Sequence, residues 1–250
     1  MKNKSEYIKF ILPLLIIFFW FIFTYTGKVP PTSLPSLSAV KNTFIEMLKS
    51  GQLSNDLSLS LRRVLAGFFI SSVLGISLGI FMGISSKAKE FFQLTLTAIR
   101  QIPMIAWIPL IILWAGIGEV SKIVVILFAA TFPIVVNTMG GVDSTSETYL
   151  EVAKMYGLSK KDTFFKVYLP SALPNIFTGL RLGLGASWMA VVASELIASS
   201  SGIGYRLNDA RSLMRSDVVI VCMIIIGLVG LLMDKLIVLI SHELTPWKKN

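Results

Sequence analysis

The 250-residue chain has one cysteine, Cys222, and one histidine, His242. A lone cysteine excludes an intrachain disulfide and a multi-cysteine metal site, and a lone histidine excludes chemistry built on histidine clusters. Cys222 stands inside an apolar run, where it reads as a small buried apolar residue. No Gly-x-x-x-x-Gly-Lys-Ser/Thr phosphate loop occurs along the chain, so any ATP hydrolysis belongs to another polypeptide. Charge is scarce as well: 15% of residues are Asp, Glu, Lys or Arg, against about 25% in soluble domains. The net charge of +9 comes without a basic cluster away from the apolar runs. Nucleic acid is therefore not the expected partner, and lysines facing anionic lipid account for the balance.

What the chain does have is apolar sequence, 54% of it, with a mean hydropathy of +0.75. It comes in long runs, as expected of one integral membrane domain spanning residues 1–250. A spanning helix needs roughly 20 mainly apolar residues. The sequence predicts an all-α polytopic protein with six such spans, near 9–26, 61–84, 93–115, 119–139, 179–199 and 218–240. The first follows Lys2, Lys4 and Lys9 as a signal peptide would, but Thr24-Tyr25-Thr26-Gly27 offers no small-x-small cleavage site, so it reads as a retained helix.

Six spans put both termini on one side, and the Lys/Arg distribution chooses which. One side collects Lys2, Lys4, Lys9, Lys87, Lys89, Lys154, Lys160, Lys161, Lys166, Arg181, Lys235, Lys248 and Lys249. The other collects Lys28, Lys41, Lys49, Arg62, Arg63, Lys122, Arg206, Arg211 and Arg215, and the richer side is expected inside. Arg100 stands near a membrane edge and is expected to snorkel to the inner surface. The outer loop, residues 28–60, starts extended at Val29-Pro30-Pro31, with a short amphipathic helix over 37–49. Gly75, Gly79 and Gly83 in the second span, and Gly179 and Gly183 in the fifth, put small residues on one helix face for close packing. Pro103, Pro109 and Pro133 free carbonyl partners in the third and fourth spans.

Residues 140–178 form a long inside stretch with its own signals. Ser144 with Glu147 fits a capping box. Leu150, Ala153 and Tyr156 recur at helical spacing, and Gly157 falls where a helix takes a left-handed closing residue. Ser159 with Asp162 is a second cap, opening a short helix to about Tyr168 that Leu169-Pro170 should stop. Four acids balance four lysines between Asp143 and Lys166. A lipid-binding amphipathic helix would be strongly basic. A neutral, capped helical hairpin suits a protein partner.

Glu151-x-Ala153-x-x-x-Gly157, followed by Val167-Tyr-Leu169-Pro170, resembles the cytoplasmic loop of ABC importer permeases, with Val152 where the family pattern has alanine. Leu61–Gly67, Ile102–Pro109, Ile112–Gly118, Ala193-Ser-Glu195 and Ser201–Tyr205 are similar to the nitrate/sulfonate/taurine branch. The resemblance implies a type I permease fold with both termini cytoplasmic in the bacterial inner membrane. It also implies that Glu151, Ala153, Gly157, Lys160, Asp162, Phe164, Leu169 and Pro170 couple to an ATPase. The implied partners are a second permease copy, two cytoplasmic ATPase subunits and an extracytoplasmic solute-binding protein. ATP and Mg²⁺ would be used on the ATPase, with no cofactor bound by this non-enzymatic chain. The implied solute is a small anion, an aliphatic sulfonate or taurine first, with nitrate, bicarbonate or a thiamine-precursor pyrimidine as alternatives.

An ionisable group in lipid costs about 2.5–3.5 kcal/mol by insertion scales, so it faces protein or water. Glu195 continues the row Gly179, Gly183, Ser187, Val191. It reads first as a partner for an arginine or a backbone group near the outer edge, and secondly, with Ser187 and Trp188, as a candidate for lining or gating a path. An ATP-independent secondary transporter is the competing class. Such transporters show two related halves, and no repeat is evident here.

Overall fold

The computed structural model describes residues 3–27 and 29–247, and of residues 3–7 and 9 only the backbone. Lys2, Lys28, Lys248 and Lys249 of the charge distribution lie outside the described residues, as do the side chains of Lys4 and Lys9. The described chain is helical, without strands. Its elements are α1 (Asn3–Tyr25), α2 (Leu37–Lys49), α3 (Gln52–Ile84), α4 (Ser86–Gln101), α5 (Met104–Ala115), α6 (Glu119–Asp143), α7 (Glu147–Met155), α8 (Lys160–Thr163), a π-helical turn (Phe164–Tyr168), α9 (Leu169–Ala198), α10 (Ile203–Ser212) and α11 (Ser216–Leu244).

Glycine sets the packing of the central helices. A Cβ on Gly67, Gly75, Gly79 or Gly83 of α3 would lie 2.6–2.7 Å from side-chain atoms of Ile126, Ile134, Thr138 and Val142 on α6. The register advances by equal steps on both helices, so α3 and α6 run parallel at backbone contact distance. Each helix therefore starts at the same end of the bundle, and the chain between them must come back across it. On α9, Gly179 meets Ile134 and Asn137, and Gly183 meets Ala130 and Ile134, while Gly141 of α6 meets Ala172 and Asn175. Here the order reverses, so α6 and α9 are antiparallel. The same holds for α9 and α11, where Trp188 donates to the Ile226 carbonyl and Arg181 pairs with Asp234. The sequence glycines thus pack helices within this chain.

The returning segment departs from expectation. In place of a straight third span, α4 and α5 are bent by 99°. Pro103 is the cause. It lacks an N–H and excludes helical geometry from Ile102, which takes φ −77° and ψ 121°. Among the described residues, four helices are each long and apolar enough to cross a bilayer, and the bent pair makes a fifth span if it counts as one. The apolar part of α1, Phe10–Tyr25, is shorter than those spans. Its aliphatic and phenyl side chains are exposed almost throughout, and it is tied down where Trp20 donates to the Pro35 carbonyl.

Three further boundaries moved. Residues 52–60, expected in the outer loop, belong to α3, and α6 continues to Asp143, through the first residues of the expected inner loop. The helix did not stop at Leu169-Pro170: residues 160–198 form one 39-residue helix through the π turn. Pro170 cannot donate to an earlier carbonyl, and the wider turn, with the Leu169 N–H bonded to the Phe164 carbonyl, absorbs that loss without a break. Pro174 is likewise carried inside α9.

Candidate functional site

Two clusters of candidate residues stand at opposite ends of the bundle. At one end, α6 closes and α7 opens after three residues. Ser144 caps the end of α6, with its hydroxyl donating to the Gly141 carbonyl, so the expected Ser144–Glu147 capping box is not formed. Ser146 occupies the N-cap of α7 instead, without a side-chain bond. The other end of α7 closes on Gly157 at φ +67°, where the Gly157 N–H donates to the Lys154 carbonyl and the Leu158 N–H to Ala153. This pair of bonds is a Schellman closure. Ser159 then caps α8: its hydroxyl accepts from the Asp162 N–H at 3.1 Å and donates to the Asp162 carboxylate at 2.6 Å. Asp162 also pairs with Lys166 one turn on.

Within this segment Ala153 is buried, Leu150 and Phe164 are half-buried, and Glu151, Gly157 and Lys160 are exposed. Tyr156, expected on the inner face with Leu150 and Ala153, caps the helix and is 81% exposed. Leu169 packs on the cluster of Val142, Ala172 and Ile176, which anchors the segment to α6 and α9. Tyr149, Val152, Met155 and Tyr156 turn outward. A groove of about 660 Å³ lies between α7 and the start of α9, lined by Val152, Tyr156, Pro170, Pro174 and Trp247 among others. Exposed aromatic and aliphatic side chains beside a mixed-charge rim are the composition of a protein contact.

At the other end, Glu195 is fully buried and bound from three sides. Arg63 Nη1 donates to it at 2.7 Å, the Ser60 hydroxyl at 2.8 Å and the Gly204 N–H at 3.0 Å. Arg63 spreads its remaining donors over Glu119, at 2.6 and 2.7 Å, and the carbonyl and hydroxyl of Ser201. Lys122 completes the cluster on Glu119. Alongside, Asp56 accepts from Arg206 and from the Gly202 N–H. These bonds clamp the 199–204 turn onto α3. Gly202, at φ +106°, and Gly204 lie against the Glu195 carboxylate, with no room for a side chain. The buried charge is therefore paired and hydrogen-bonded, as a charge in a low-dielectric interior requires.

Glu195 thus meets the partners of its first reading, an arginine and a backbone group, and the arginine is Arg63. Ser187 and Trp188, taken with it as path candidates, are also enclosed: Ser187 donates to the Gly183 carbonyl and Trp188 packs against Gly230. Sequence reasoning placed Arg63 at the start of the second span, counted it with the outer charges, and missed Ser60, Asp56 and Glu119 as its neighbours. The signal for Arg63 was its place beside Val64-Leu65-Ala66, a charge entering an apolar helix that must find a partner.

A family model described as "Binding-protein-dependent transport system inner membrane component" matches residues 71–245. A putative ABC transporter permease protein of Methanocaldococcus jannaschii is 39% identical, over 99% of this chain and 94% of its own length. A putative aliphatic sulfonates transport permease of Bacillus subtilis is 37% identical over 96% of this chain and 87% of its own. A nitrate import permease of a Synechocystis strain is 38% identical over 75% of this chain and 68% of its own. Among solved structures, an amino acid ABC transporter superposes with a TM-score of 0.65 over 80% of this chain and 98% of that one, at 17% identity. An inward-facing methionine ABC transporter gives 0.64 over 76% and 96%, at 18% identity. Those two likenesses concern the fold.

Proposed function

Since this chain belongs to the binding-protein-dependent transport system inner membrane component family, whose members are multi-pass permease subunits of ABC importers, we propose that it forms the path for a small anion, an aliphatic sulfonate such as taurine in the first instance. Two copies pair across the path. Two ATPase subunits dock on the α7 end, which then faces the cytoplasm with both termini, and a solute-binding protein delivers from the α10 end. ATP and Mg²⁺ are used on the ATPase.

The observation that carries this reading is the α7 segment. It is a capped element with Ala153 buried and an exposed apolar face of Tyr149, Val152 and Met155, and it leads through the π turn to Leu169, which packs on Val142, Ala172 and Ile176. Such a surface receives a partner and passes motion to the spans behind it. The sulfonate preference rests on what the relatives are named for, sulfonates, taurine and nitrate.

The test is reconstitution of the permease with its ATPase and binding protein in proteoliposomes, followed by uptake of labelled taurine, ethanesulfonate and nitrate. ATP- and binding-protein-dependent uptake of a sulfonate is expected. Uptake at the same rate without ATPase would place the chain among secondary transporters instead, and ATP-driven uptake of nitrate alone would replace the sulfonate assignment.

A further inference from the structure

Several cations along the bundle, buried or exposed, have an anion. Arg63 and Lys122 share Glu119, Arg181 pairs with Asp234, and Arg206 with Asp56. Arg100, exposed on the surface of the described chain, has no hydrogen bond or ion pair among the described residues. It stands in the last turn of α4, next to the 99° break. It lines a crevice between α4 and α6 with Phe132, Val135 and Met139. Phe132 is close to the middle of α6, Glu119–Asp143. Arg100 therefore stands partway along α6, a helix long and apolar enough to cross a bilayer, away from its ends.

An unpaired guanidinium there is costly in lipid, so the α4–α6 crevice must meet water or protein. The rest of its lining says which. Thr97 and Gln93 stand one and two turns before Arg100 on the same face of α4, exposed and also without partners among the described residues, and the remaining walls are Met82, Leu96, Val136 and their neighbours. An apolar cleft with a few convergent polar groups is the usual form of a small-molecule site. Its volume is about 160 Å³. At about 30 Å³ for each liquid water, this is the room of a few waters, enough for a small solute. The planar guanidinium fork matches a flat or tetrahedral oxyanion.

We propose that Arg100, with Gln93 and Thr97, forms the anion site of the translocation path, taking a sulfonate, nitrate or carboxylate head group. The assignment rests on the small-anion reading above and gives it a location. The broken span lies beside it: α4 ends one residue after Arg100, and the chain there turns by 99° into α5.

The test uses the assembled transporter carrying Thr97→Cys on a Cys222→Ser background. An alkylsulfonate methanethiosulfonate reagent should modify position 97 at least tenfold faster than its trimethylammonium counterpart, and Arg100→Gln should abolish that preference. Uptake of labelled taurine should fall at least tenfold in Arg100→Gln and recover in part in Arg100→Lys, with the ATPase still co-eluting. Equal labelling by both reagents, or none, would overturn the site. So would loss of ATPase association in Arg100→Gln, which would make the arginine a subunit contact, or wild-type uptake by Arg100→Gln. If wild-type transporter takes up neither taurine nor nitrate but the reagent preference holds, the site stands and the solute assignment above fails.

Discussion

Arg63 and Glu195, separated by 132 residues in sequence, are joined at 2.7 Å. Their side chains are 3% and 0% accessible. Removing one partner of such a pair leaves an uncompensated buried charge, at about 3–5 kcal/mol. Arg63→Met should therefore lower the thermal midpoint of the detergent-solubilised transporter by several degrees, with Glu195→Gln milder because its amide still accepts one hydrogen bond. The double variant Arg63→Met/Glu195→Leu should recover much of the loss. A double variant no more stable than the worse single one would show that the pair is not coupled. A Glu195→Gln transporter that loses uptake at unchanged stability would restore the gating role.

The α3–α6 contact leaves no space at Gly79, where a Cβ would meet Thr138 and the Val135 carbonyl at 2.6 and 2.8 Å. Overpacking of this kind costs about 1–3 kcal/mol. Gly79→Val should reduce the yield of folded permease on size exclusion, whereas Gly140→Ala, with open space around it, should leave it near wild type. Equal yields would mean that α3 and α6 are not in backbone contact.

Gly157 has open space around it too, but its φ is +67°. A substitution there strains the backbone and nothing else, at about 1–3 kcal/mol for a β-branched residue. Gly157→Val should uncouple ATP hydrolysis from uptake while the spans stay inserted. Gly157→Asn should be close to wild type, because asparagine tolerates the left-handed region. The measurement is ATPase stimulation and transport in proteoliposomes. Wild-type coupling in Gly157→Val would reduce the α7 segment to a linker. Glu151→Lys should act in the same direction and more weakly, by reversing an exposed charge at the docking face.

Pro170 prescribes the π turn. Pro170→Ala returns an N–H that can bond to Lys166 and lets the turn close as α-helix. Dropping one residue from a turn rotates what precedes it by about 100°, so Lys160–Thr163 would point elsewhere. Coupled uptake should fall severalfold, with normal insertion of the spans. A crosslink between a cysteine at Lys160 and the ATPase should be lost, and a retained crosslink at wild-type efficiency would contradict the rotation.

The sequence carried the helical class, the glycine rows and the Gly157 and Ser159 signals, because each depends on residues within one or two turns. Hydropathy averages over a window, so a span of uniform apolarity conceals a right-angle turn. Only Ile102-Pro103 marked it. The capping box at Ser144 failed for a different reason: α6 and α7 abut so closely that Ser144 serves the end of one helix while Ser146 opens the next. Arg63, Ser60 and Glu119 were illegible as a cluster because their meeting depends on α3, α6 and α9 converging at one end. Local pattern cannot report such long-range pairing.

The continuous helix from Lys160 to Ala198 has a mechanical consequence. At about 1.5 Å per residue, the stretch between Pro174 and Glu195 is a rod of roughly 30 Å, and each degree of tilt about Pro174 displaces its far end by about half an ångström. Because no loop intervenes to dissipate a push at α8, the turn that Glu195 grips at the opposite end of the bundle is the tip of a lever whose short arm is the segment Lys160–Tyr168.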